Sequence, residues 1–267
     1  MVPAAELRLR AVAFAGALAA ASAATAADFT ARQVTEALYH ATDAAPVDMS
    51  KRDLAGLDLA GLGFKKARLA EANLFGADLT GADLTGTDLR AAKLDRVIAI
   101  GARFDRANLA GASLLRPTTT TSLETIKGET PSFTGADLTG ARMFGAFIGA
   151  SFAGARMSGI TLAPFSDTGF IEILWRTRLD SADLAGADLS RANLSHVSLR
   201  FANLRGANLK GTVLKNADLS HADLTDADLT GADLDLADLD GTRLAGVKGL
   251  DSTTGLATTR NRDKAIN

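Results

Sequence analysis

The chain has 267 residues, 47% of them hydrophobic, with 29 lysines and arginines against 31 aspartates and glutamates. That is ample for a core, and a net charge of −2 excludes a global basic footprint for nucleic acid. Cysteine is absent, which excludes a disulfide framework, thiolate metal sites, thiol catalysis and a lipid-bearing N-terminal cysteine.

The chain opens "MVPAAELRLRAVAFAGALAAASAATAADF". Arg8 and Arg10 precede an uncharged run from Ala11 to about Ala21, and small residues follow. This is the grammar of a signal peptide over 1–26, with cleavage expected after Ala23 or Ala26. The apolar run is short of the ~20 residues that a membrane span needs. A periplasmic or secreted protein is expected, with no membrane span after cleavage.

Residues 27–48 follow. Thr30 with Gln33 resembles a capping box, and Val34, Ala37, Leu38 and Ala41 give one apolar face. The spacing predicts a short helix over about 31–41 that plugs the N-terminal end of what comes next.

From Leu54 the sequence takes a period of five, bare in "GADLTGADLTGTDL" (Gly76–Leu89). An α-helix turns about 140° net in five residues, so such leucines make no stripe. A flat strand throws them onto alternate faces. One buried side results only if the chain bends by a fixed angle every five residues. Each pentapeptide is then one side of a coil, its central residue i points to the axis, and stacked coils form a solenoid. The first frame runs Leu54, Leu59, Phe64, Leu69 and on in fives to Leu114, with Ala99 its one small residue. Position i−2 favours Ala, i−1 Asp or Asn, and i+2 Gly, as suits a tight bend with local backbone bonds and an unusual φ.

An interruption at 115–132 holds a threonine run and two prolines, and reads as a loop. The second frame is Phe133, Leu138, Met143 and Ile148. One residue is then lost, and Phe152, Met157 and Leu162 follow. A second interruption at 163–178 contains Phe165, Phe170, Ile171 and Trp175, the only tryptophan. The last frame is unbroken from Leu179 to Leu244, and the array as a whole occupies 49–250. Residues 251–267 lose the repeat. Leu250 and Leu256 are expected to fold over the last coil, and Arg260–Asn267 to trail as a tail.

"ADLAGADLSRANL" (Ala182–Leu194) and "ANLRGANLKG" (Ala202–Gly211) resemble the A(D/N)LXX motif of the pentapeptide repeat family. The resemblance implies an all-β fold, a right-handed quadrilateral parallel β-helix with four pentapeptides per coil. About 8.5 coils at roughly 4.8 Å each make a rod about 40 Å long.

Little in the chain points to catalysis. The coil interior is filled by Leu and Ala, and there is no GxSxG, HExxH, P-loop or dinucleotide fingerprint. No cofactor or metal is expected. His196 and His221 fall on adjacent sides and do not stack, and Asp at i−1 gives way freely to Asn, Ser, Arg and Val, which suits a turn rather than a calcium ligand. Arg200, Arg205, Lys210 and Lys215 take four successive i+1 positions. They are expected to make cross-coil pairs at a separation of twenty, such as Asp180 with Arg200 and Lys215 with Asp235. They are also a candidate binding band, beside Phe165, Phe170, Ile171 and Trp175. The reading is a non-enzymatic scaffold that binds a protein partner or itself and no nucleic acid. The alternative implied by the resemblance is a DNA-mimicking, gyrase-binding protein of quinolone tolerance. That role calls for a cytoplasmic, strongly acidic protein, often paired through its C-terminal end.

Overall fold

The computed structural model describes residues 28–121, 128–164 and 176–266. Residues 1–26, Phe165, Phe170, Ile171 and Trp175 lie outside the described residues.

A period of twenty organises the backbone. Asp48 bridges Arg68, Asp53 bridges Asn73, Asp58 bridges Asp78 and Gly63 bridges Asp83, all parallel, and each partner bridges onward in turn. Four ladders therefore run along the array, one per side of a coil, and the chain forms a parallel β-helix. The leucine N–H donates up and its neighbour's N–H donates down: Leu54 N to Asn73 O at 2.8 Å, Asn73 N to Arg52 O at 2.9 Å. Each side then closes through a residue in the left-handed region at i+2. Glycine takes it most often, but Arg191 and Phe201 also hold φ near 57°, a strain of order 1 kcal/mol each.

The core is a column of inward residues. Leu54, Leu59, Leu69 and Leu74 are fully buried, as are the alanines two places before each leucine in the later coils. Threonine replaces that alanine at Thr87, Thr177, Thr212 and Thr242, and each hydroxyl donates to a backbone carbonyl at 2.7–2.8 Å. A buried hydroxyl is tolerated because it is bonded. In the irregular middle the filling changes to aromatic rings. Phe104, Phe133 and Phe152 stack with centroids 4.9 Å apart.

Here the inward frame differs from expectation. Phe147, not Ile148, is fully buried, and Ala146 takes the bridging position. The lost residue lies between Met143 and Phe147, where Gly145 adopts φ 146°. The alternative frame would have placed Ile148 inward at no gain over a phenylalanine.

The N-terminal helix α1 spans Ala31–His40 and starts at a complete Thr30–Gln33 capping box. Val34 and Leu38 are buried in the same apolar cluster as Met49 and Leu54. Lys65 Nζ, two coil sides away, donates to Leu38 O at 2.8 Å and Ala41 O at 3.1 Å. An ammonium on the last carbonyls also meets the negative end of the helix dipole.

The C-terminal end is built on a period of six. Lys248, Thr254, Arg260 and Ile266 bridge Asp228, Asp233, Asp238 and Arg243. Arg260–Ile266, expected in a tail, therefore belongs to the coil. The residue after each bridge, a leucine below, is now Gly249, Gly255 or Asn261, all left-handed. Leu250 and Leu256 pack part-buried on the core. Ser252 and Thr258 hydroxyls donate to Gly249 O and Gly255 O, and accept from the Gly231 and Leu236 N–H groups below. Gly249 O and Gly255 O stand where a leucine carbonyl closes its own turn in an ordinary side, so each hydroxyl ties the last turns to the coil beneath.

Leu209 sits on the axis between Leu189 and Leu229 and is fully buried. Leu209→Asp is expected to cost at least the lost burial, about 1.5–3 kcal/mol, with an unpaired buried charge added. Asp228→Asn should shift the thermal midpoint far less, because Asn fills that slot at Asn203 and Asn208. Equal shifts of the two midpoints would contradict the inward leucine column. A second expectation concerns the six-residue sides. Removing residues 249–267 exposes the leucines of the coil beneath, and light scattering should show concentration-dependent association that the full chain lacks.

Candidate functional site

Every outward i−1 carboxylate has a local task. Asp228 Oδ1 accepts from the Thr230 N–H at 3.0 Å and from its hydroxyl at 2.6 Å, and Asp223 does the same with Thr225. Asparagine at this position reaches back one coil: Asn203 Nδ2 to Asp183 at 2.9 Å, Asn208 Nδ2 to Asp188 at 2.9 Å. These bonds fix the turn that follows each leucine.

The four basic residues of the candidate band are each held by a carboxylate of the next coil. Arg200 meets Asp218 at 4.0 Å, Arg205 meets Asp223 at 3.2 Å, Lys210 meets Asp228 at 3.1 Å and Lys215 meets Asp233 at 3.3 Å. The separation is eighteen, not the expected twenty. A long side chain at i+1 leans back across the pleat to the i−1 carboxylate above it, while Asp180 is engaged by Arg178 at 2.8 Å and by the Ser198 hydroxyl. The band is therefore a neutralised ladder. Such exposed pairs contribute about 0–1 kcal/mol each.

His221 stacks on Phe201 at 5.0 Å, with Arg200 5.7 Å from the same ring. Among the described residues Tyr39, on α1, is the most exposed large apolar side chain at 78%. His40 meets it edge-on at 5.2 Å. Among the described residues no group of three or more His, Asp or Glu is placed to hold a metal ion. No described helix is long and apolar enough to cross a membrane.

The departures from the period fall together. The bridge Arg103–Ser132 lengthens the repeat by nine residues, which enter after Thr118. The bridge Ser132–Ser151 shortens it by one, at Gly145. The bridge Ala146–Arg178 lengthens it by twelve, after Thr161. All three border one side of the coil, the ladder that contains Asp78, Ile98, Thr118, Ala146, Arg178 and Ser198. Strands β1 (Ser113–Leu115) and β2 (Arg142–Phe144) pair in parallel beside it, with Leu114 opposite Met143. The sequence shows each interruption but not that they share an edge. That follows only once the residues are counted in twenties from the first coil.

The pentapeptide repeats family model matches in eight copies, over residues 53–90, 87–116, 174–211 and 212–248. These segments make up more than half of the chain, and the chain belongs to the pentapeptide repeat family. Among solved structures it is similar to HetL, a pentapeptide repeat protein involved in heterocyst differentiation regulation from the cyanobacterium Nostoc sp. strain PCC 7120. That match has 28% identity, covers 82% of this chain and 86% of the other, and has a TM-score of 0.37. It is also similar to QnrB1, a plasmid-mediated fluoroquinolone resistance protein, at 16% identity over 67% and 88% of the two chains, TM-score 0.46. A pentapeptide repeat protein of the Arabidopsis thaliana thylakoid lumen matches at 28% identity over 49% and 66%, TM-score 0.18. Among curated proteins nothing matches.

The turn bonds make the array acid-sensitive in a defined window. The Thr230 hydroxyl and N–H, with Lys210 behind them, hold the Asp228 carboxyl down to about 2. Arg90 lowers Asp88. In Asp223 burial works upward, but the Thr225 bonds and Arg205 outweigh it and the carboxyl is lowered. A carboxylate lowered on folding stabilises above its unfolded value, near 3.9, and loses that contribution as pH falls through its folded value. Circular dichroism should therefore show little loss down to about pH 4, and weakening between there and about pH 2. Thr230→Val should move the acid midpoint upward. An unchanged midpoint would remove Asp228 from the account.

Proposed function

We propose that this protein is a secreted or periplasmic, non-enzymatic scaffold that binds a protein partner or a second copy of itself. In this reading residues 1–26 are a removed signal peptide. The array of 49–250 winds as a right-handed coil of square section. Helix α1 closes one end and residues 251–267 the other.

The observation that supports this most is the contrast between two kinds of surface. Along the regular coils the axis is filled and outward charges neutralise each other, so little is left for chemistry. At one edge the period breaks three times, and there the chain carries its departures from the repeat. An enzyme needs convergent titratable groups in a concavity, and the regular faces offer ladders instead. Family membership by itself supports a scaffold and names no partner.

Exported protein should lack residues up to Ala23 or Ala26 by intact mass. Cytoplasmic protein that starts at Met1 would overturn the secreted reading, and inhibition of gyrase supercoiling would favour the DNA-mimic role. A pull-down from periplasmic extract should lose its specific partner, or the protein its self-association, when residues 165–175 are replaced by a Gly-Ser linker. If Trp175→Ala and the replacement both leave partners and oligomeric state unchanged, the contact does not use that interruption.

A further inference from the structure

One corner of the first coil departs from the pattern of its neighbours. At an ordinary corner residue i+2 alone is left-handed, and its N–H donates to the coil above. Lys51 N donates to Ala70 O at 2.8 Å, Gly56 N to Phe75 O at 2.9 Å, Gly61 N to Thr80 O at 2.8 Å and Glu71 N to Arg90 O at 2.7 Å. After Phe64 two successive residues are left-handed, Lys65 at φ 46° and Lys66 at φ 58°. Among the described pentapeptides Lys65 alone has a positive φ at i+1. Among the described residues the Lys66 N–H, which the pattern would aim at Thr85 O, has no such bond. A cleft of about 360 Å³ stands at this corner, with Gly63, Lys65, Lys66, Asp83 and Thr85 on its walls. Both departures are unfavourable, since a left-handed lysine is strained and a ladder bond is forgone.

The gain is the direction of one side chain. Lys65 Nζ donates to Leu38 O at 2.8 Å, to Ala41 O at 3.1 Å and to Tyr39 O at 3.3 Å. Three carbonyls at the C-terminal end of α1, where a helix runs out of its own donors, thus converge on one ammonium. Other ties at that end are few. Val34 and Leu38 are the buried residues of the helix, and the Lys66–Asp43 pair, at 3.1 Å, is exposed. The start of the helix is tied separately, by Asp28 N to Asp53 O at 2.7 Å and Asp53 N to Asp28 Oδ2 at 2.8 Å.

We propose that the Phe64 corner is a two-position latch that decides whether α1 closes the N-terminal end of the coil. In the engaged position, the one described above, Lys65 and Lys66 are both left-handed and the ammonium holds the helix end. In the released position the corner takes its ordinary form. Lys65 leaves the left-handed region, the Lys66 N–H bonds Thr85 O, and the ammonium leaves the carbonyls. Freed at that end, α1 opens and uncovers Met49 and Leu54, which share an apolar cluster with Val34 and Leu38 in the closed form. Each position makes bonds that the other gives up, and that is what lets the two compete without unfolding the array. The rod thereby carries a switch for access to one of its ends, whatever its partner is.

Residue-resolved amide hydrogen exchange of the full chain tests this, because the two positions leave opposite marks. Lys65→Met removes the ammonium and keeps an unbranched stem. The amides of Leu38–Ala41 should then exchange about tenfold faster and the Lys66 amide about tenfold more slowly, while those of Leu189, Leu209 and Leu229 stay within roughly twofold. Lys65→Arg, whose guanidinium can donate to the same carbonyls, should keep the parent rates at both places. Lys51→Met, at an ordinary corner of the same coil, should change neither. An α1 indifferent to Lys65→Met overturns the proposal, as does a Lys66 amide that is unchanged or faster, since the corner would then only loosen. General loss of protection along the array overturns it too, because the corner would then be a structural support and not a latch.

Discussion

The structure depends on one backbone constraint: each pentapeptide must turn through a left-handed residue two places after its inward leucine. Only that conformation lets a side of five residues end where the next can begin, so that residue i and residue i+20 bond across coils. Glycine adopts it freely, yet Glu71, Arg191, Phe201 and Asp226 adopt it too. Their strain, of order 1 kcal/mol each, is offset because each of these turns is tied by two backbone bonds, and by a third where i−1 is Asp or Asn, as at Asp188 and Asp223. The turn closes from i−2 to the preceding leucine carbonyl, the i+2 N–H donates to the coil above, and an Asx oxygen, where present, takes the i+1 N–H. Leucine burial drives the column together. The turn decides that the column is a coil and not a helix or a sheet.

Much of this is legible in the sequence, and the reason is redundancy. A period of five repeated over many sides leaves one geometry that buries every leucine, so even the Thr30–Gln33 cap and the apolar face of α1 read correctly against it. Legibility ends where redundancy ends. Around Met143–Phe152 two frames offer large apolar residues, Ile148 in one and Phe147 in the other. Only packing against Phe133 and Phe152 separates them, with edge-on ring contacts at 6.4 and 6.3 Å. The charge pairs span eighteen residues and not twenty, because the pentapeptide letters carry no information on how a long side chain leans. The six-residue sides at the C-terminus recur only three times, too few to stand out as a period, although "TGLATT" repeats the plan of "KGLDST".

The same logic explains where recognition can reside. A repeat that neutralises its own charges and fills its own axis is chemically quiet by construction. Arg200, Arg205, Lys210 and Lys215 look like a binding band in the sequence, yet each meets an aspartate from the next turn of the same pattern. Specificity therefore has to come from positions that break the pattern, and these carry a cost. An insertion between sides adds chain to be ordered, a deletion needs a glycine with a large positive φ, and a missing i−1 carboxylate leaves a turn without its bond.

Those costs concentrate at one edge. Distributed round the coil, three irregular turns would weaken several ladders and the column within them. Gathered beside one ladder, they leave the other three continuous from Asp48, Asp53 and Gly63 to the last coil. The stacked rings of Phe104, Phe133 and Phe152 keep the axis filled where the count changes from twenty to twenty-nine and then nineteen. An aromatic face spans a wider range of offsets than a leucine, so the core stays closed while the surface changes. The irregular edge is thus held by a rigid body on three sides.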